Sequence, residues 1–252
     1  MVRAHSNWRF AMSRLHDEWK VDAHGPLEHL GDGVWTVAGE ISMPLGHFPR
    51  RMTVVVLEGA RLLVWSAIPM RDAAMAQLEA LGDVAFLVVP GVAHRLDLRP
   101  WKRRYPGARV VCAPGAQEAV SQAAPVDATT NVFDDPTVDF QAVPGMEDKE
   151  AALWVRRAGG TTLVVNDIIA NVQHPNGLGA QVMARLLGFG VKEPQMPWLG
   201  EKLFVKDPAA TAAALRAWAQ EPQLTRIVVS HGDVITAAPR ETLTRIAADV
   251  AD

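Results

Sequence analysis

Twice along the chain a set of strands is followed by a set of helices, and that order restricts the architectures open to it more than any other feature. In the first half, residues 34–37 are short and β-rich, while 52–57 and 62–65 flank Glu58-Gly59-Ala60-Arg61, which reads as a hairpin turn. A helical stretch at 72–81 stops at Gly82. Residues 84–89 form a continuous apolar run, the mark of a strand buried on both faces. A short helix at 98–105, a buried strand at 108–112 and a helix at 116–123 follow. The second half keeps the order without repeating the sequence. Strands at 138–143, 151–156 and 161–165, the last two joined at Ala158-Gly159-Gly160, precede helices at 178–187 and 209–220. The second of these helices starts with Asp207 as cap and Pro208 behind it. A short buried strand at 226–229 and a helix at 240–250 close the chain. Two sheets packed face to face, with helices covering the outside, satisfy this order.

Composition removes other classes. With 252 residues, 49% of them apolar, the chain can build a large core. Its 25 Lys and Arg against 28 Asp and Glu leave a net charge of −3, without the basic excess of a general nucleic-acid binder. The single Cys112 excludes an internal disulfide framework and fits a reducing compartment. The longest apolar candidate for a membrane span, 52–70, is interrupted by Glu58 and Arg61. The expectation is a cytoplasmic protein that handles a small molecule, with neither nucleic acid nor membrane as partner. Trp8, Met12, Leu15 and Trp19 fall on one helical stripe. Residues 1–26 therefore read as an extension containing a docking amphipathic helix, a route to a homo-oligomer, and 27–252 as a single domain.

In α/β folds, functional groups collect beyond the C-terminal ends of buried strands. Three such ends are polar here: Pro90-Gly91-Val92-Ala93-His94-Arg95, Asn166-Asp167, and Ser230-His231-Gly232-Asp233. Should they converge, His94, Asp167 and His231 offer two imidazoles and a carboxylate, a set suited to one divalent Zn, Fe or Mn ion. Each group also has a plain structural reading: a hydrogen-bonded histidine, a cap before Ile168, a turn before the last helix. No Gly-x-Ser-x-Gly context surrounds Ser66 or Ser230, which argues against a serine hydrolase. Pro194-Gln195-Met196-Pro197-Trp198 reads as a lid segment.

The order of these motifs resembles the metallo-β-lactamase superfamily, and within it a branch known mainly as a domain of unknown function. The resemblance rests on Gly33-Val34-Trp35, Arg51-Met52-Thr53-Val54, the 90–95 loop, Asp167 with Asn171 beyond it, and His231-Gly232. It implies a four-layer αββα sandwich of two mixed sheets. Active members carry His-x-His-x-Asp-His where this chain has residues 90–95, which places Pro90 and Val92 at the first two His positions, His94 at the Asp and Arg95 at the final His. The next ligand would fall near Cys112, Ala113 or Pro114. The resemblance thus implies a metallo-hydrolase-like protein with a reduced, at most mononuclear site. His94, Asp167 and His231 would hold the metal, Asp167 would orient water, Asp233 would support a ligand, and Arg95 would bind an anionic substrate group. The alternative is a non-catalytic descendant that binds a small molecule or partner, without metal, in which an Arg95–Asp167 ion pair replaces the ion.

Overall fold

The computed structural model describes residues 15–43, 46–174, 184–185 and 188–251. Strands β1 (Glu28–Gly31), β2 (Val34–Met43), β3 (Gly46–Leu57), β4 (Arg61–Trp65), β5 (Asp83–Val89) and β6 (Arg109–Cys112) lie side by side in one sheet. The other sheet runs β10 (Leu224–Val229), β9 (Gly160–Val165), β8 (Ala151–Arg157), β7 (Val138–Ala142). The helices are α1 (Asp72–Glu79), α2 (Leu98–Arg104), α3 (Gln117–Ser121), α4 (Trp198–Phe204), α5 (Pro208–Trp218) and α6 (Pro239–Ala251). Both sheets are mixed, for a local reason. Strands joined by tight turns pair antiparallel, as β3 with β4 and β8 with β9. Strands separated by a helix return parallel: β4–β5 across α1, β5–β6 across α2, and β9–β10 across α4 and α5.

Alternation along the strands builds the layers. Side chains of a strand point to opposite faces in turn, and in β8 Leu153 and Val155 join the core shared with the first sheet while Ala152 and Trp154 join a second core. Val164 of β9 and Val228 of β10 likewise face the first sheet, and their neighbours Leu163, Val165, Ile227 and Val229 face outward. That outer core is completed by Leu215 of α5 and by Leu243 and Ile246 of α6. Met75 and Leu78 of α1 and Trp101 of α2 pack with the first sheet's residues. Trp65 and Phe140, centroids 6.3 Å apart, join the two sheets directly. The architecture is the expected sandwich.

Two local readings change. The strand expected at 34–37 runs on to Met43 and pairs along its length with β3, so that Glu40 faces Pro49 and Gly39 faces Arg50. Gly39 and Pro49 hide this extension in the sequence, since neither is a strand former. The N-terminal stripe lies mostly outside the described residues, but from Leu15 to Lys20 the chain is not helical. Its groups are satisfied by the body instead: His16 N–H donates to the Leu96 carbonyl and Trp19 Nε1 to that of Met70. Trp19 packs against Trp101, centroids 5.3 Å apart. The helix expected at 178–187 also falls mainly outside the described residues; Ala184 and Arg185 are helical. No helix among the described residues is long and apolar enough to cross a membrane.

Candidate metal centre

Three strand ends meet. His94 sits in a 3₁₀ turn, Val92–Arg95, just past β5; Asp167 lies two residues beyond β9, and His231 two beyond β10. Their donor atoms lie within 4.8 Å of one another. His94 Nε2 is 3.3 Å and His231 Nε2 3.1 Å from Asp167 Oδ1. All three side chains are largely shielded from solvent.

The surroundings aim both imidazoles. His231 Nδ1 lies 2.8 Å from the Pro49 carbonyl, which can only accept, so that nitrogen carries the proton and Nε2 faces Asp167. His94 Nδ1 lies 2.6 Å from Ser66 Oγ. A proton on this Nδ1, donated to the hydroxyl, likewise leaves its Nε2 as a lone-pair donor. Ser66 terminates β4 with a left-handed backbone, φ 56°, a conformation uncommon outside glycine. Outer contacts of this kind fix tautomer and ring orientation in metal sites.

Glycine is required at position 232, and at 91 a side chain would crowd Glu150. A Cβ on Gly232 would stand 2.0 Å from the Asn171 carbonyl oxygen, and Gly232 itself has φ 103°. A Cβ on Gly91 would stand 2.2 Å from Glu150 Oε1. Glu150 is buried behind the site, and Asn166 Nδ2 donates to its Oε2 at 3.0 Å. Burial, reinforced by the Asp167 charge, pushes the Glu150 carboxyl well above its usual range. Burial would also raise Asp167, but the charge of His94 and the hydrogen bonds from His231 and His94 outweigh it and hold that carboxylate below its usual value. Burial pulls His231 down, and the hydrogen bond and charge of Asp167 outweigh that and raise it.

The donor set fits a divalent ion. Ligand atoms roughly 2.0–2.2 Å from zinc at tetrahedral angles lie about 3.3 Å apart, close to the two N···O separations here. The same distances suit hydrogen bonds, so protons hold the cluster together when no ion does.

Several expectations about the site need correction. Arg95 does not face Asp167. Its Nη1 donates to the Ala119 carbonyl and to Gln122 Oε1, and the residue is buried against α3. The last carbonyls of a helix carry partial negative charge, so the end of α3 takes up Nη1 of this guanidinium, and the pair meant to replace the metal does not form. Cys112 is not in the cluster: it is sealed in the core, where burial pushes its thiol up to about 11. Asp233 bonds to neither histidine ligand; its Oδ2 lies 2.8 Å from His174 Nδ1, and its backbone is held by Asn171. The segment read as a lid is tied down at Gln195, which pairs with Ala170. The supporting roles of Ser66, Pro49 and Glu150 escaped sequence reading, although Ser66 obeys the same strand-end rule that exposed the ligands.

Neither a protein-family profile nor any curated protein matches the sequence. Solved structures do. The metallo-β-lactamase FIM-1 from Pseudomonas aeruginosa, in a mono-zinc form, superposes over 93% of this chain and 99% of its own, with TM-score 0.58 and 15% identity. The chain has the metallo-β-lactamase fold. VMB-1 agrees with TM-score 0.61 over 90% of this chain and 97% of its own, at 14% identity. A metallo-β-lactamase from Hirschia baltica gives 0.58 over 88% and 98%, at 12%. In this metallo-β-lactamase fold, the His/Asp/His cluster lies at the strand ends of both sheets.

Proposed function

We propose that the protein is a metal-dependent hydrolase with a single-ion centre formed by His94, Asp167 and His231. The observation that carries this is the convergence of three donors from three separate strand ends within 4.8 Å, with both outer Nδ1 atoms engaged. A divalent ion in such a site supplies Lewis acidity and a nucleophile at neutral pH. The chain's own residues do the rest. Asp167 stays ionised and offsets the ion's charge. Pro49 and Ser66 hold the imidazoles in the ligating tautomer. Pro90 and Val92, at the loop start, offer no side-chain donor for a second ion.

The substrate class follows from the chemistry: an ester, lactone, amide or phosphoester of a small molecule. A screen of these substrates with zinc-, iron- and manganese-loaded protein tests the reading. Turnover that requires metal and disappears in Asp167→Ala is expected. A wild-type protein that binds no metal would overturn it.

A further inference from the structure

Arg50 and Arg51 are adjacent in β3 and both are buried, yet their charges are treated differently. Arg50 Nη1 is ion-paired with the buried Asp97, and its Nε donates to the Glu40 carbonyl. Arg51 has only neutral partners: Nε donates to the Gly232 carbonyl at 3.0 Å and Nη1 to Thr36 Oγ1 at 3.1 Å. No carboxylate of the described residues forms an ion pair with it, and Asp233 and Glu28 act on it only through charge at longer range. Its Nη2 makes no hydrogen bond with the described residues and is not sealed from solvent. The residue is 7% exposed and lines a cleft of about 380 Å³.

Volume and lining suit a small ligand. His24, Glu40, Pro49, Arg51, His174 and Asp233 are among the residues that line it. A guanidinium taken this far out of water with no counter-ion loses solvation that neutral acceptors only partly restore. An anion with two oxygens restores it, because the free edge of an arginine fork matches carboxylate and phosphate geometry. Arg95 is the contrast within the same molecule: also buried, it spends its charge on a helix end.

We propose that this cleft is an anion-binding site that holds the carboxylate or phosphate group of a small molecule on Arg51. It adjoins the metal centre, since Pro49 and Gly232 line it while holding or flanking His231. It is nevertheless built without His94, Asp167 or His231 and does not require the ion.

Calorimetric titration of chelator-treated protein at low ionic strength, with inorganic phosphate and separately with acetate, tests this site apart from the metal reading. Saturable one-to-one binding of either is expected, the tighter of the two naming the ligand class. Arg51→Lys keeps the charge and loses the fork, and should weaken binding at least about tenfold. Asp233→Asn removes the nearest opposing charge from a half-exposed position and should tighten it several-fold. That second variant decides the matter should Arg51→Lys fail to fold. No saturable binding of either anion, or affinities indifferent to both substitutions, would overturn the proposal. Metal bound without anion, or anion without metal, separates its failure from that of the hydrolase reading.

Discussion

Two neighbouring parts of the strand-end rim share one architecture and differ in what they present. On one part, His94, Asp167 and His231 bring three donors together, each steadied from behind. On the other, where the resemblance implies a second ion's ligands, Pro90 is buried and Cys112 is a core thiol pushed up to about 11. The fold brings loops together, and only the side chains on them make a site. Here one part of the rim presents three donors, and the other presents a buried proline and a core thiol.

The largest break comes from removing the shared carboxylate. Asp167→Ala should lower zinc affinity by more than about 100-fold, beyond the 10–100-fold seen for outer partners, measured by competition with a chromophoric chelator. Ser66→Ala should fall within that outer range, about tenfold or more, because His94 keeps its place and loses its orientation. An unchanged affinity would mean that Ser66 does not set the tautomer.

Protons compete with the ion. His231 is raised above its usual 6.5, so zinc affinity should climb about tenfold per pH unit below that raised value and level off above it. Without metal the signs oppose each other. The depressed Asp167 contributes stability present above its usual 3.8 and lost as pH falls through its lower folded value. The raised His231 contributes stability fully present below 6.5 and lost as pH rises through its higher one. Metal-free protein should therefore be most stable, as far as this pair matters, between those limits, which thermal melts across pH will show.

Glu150 sharpens the contrast from behind. Its raised carboxyl costs stability as pH climbs above its usual 4.5, since the folded state must keep a proton that the unfolded chain releases. Glu150→Gln should then be more stable than the parent at pH 8 and nearly equal at pH 4. The smallest effect belongs to the silent half of the rim. Cys112→Ala should leave metal content unchanged and cost roughly 1 kcal/mol through lost packing.

Much of this was legible in the sequence, and the reason is physical. The run at 84–89 and the Gly159-Gly160 turn record burial and chain reversal locally, so the β5 and β8–β9 elements follow from them. The ligands were legible because strand ends are where a sandwich exposes polar groups. Arg95 was misplaced because its partner depends on where α3 lies, which no local pattern encodes. Ser66, Pro49 and Glu150 act through contacts that span 28 to 182 positions in the chain for the two histidine partners, beyond any local pattern. The same holds for the long β2–β3 pairing, which tertiary contacts stabilise against Gly39 and Pro49.

The most direct measurement is metal stoichiometry. Protein stripped with chelator, reloaded with zinc and passed through a desalting column should carry one ion per chain by elemental analysis, and Asp167→Ala none. Two ions per chain, or none in the parent protein, would contradict the account of a single-ion rim.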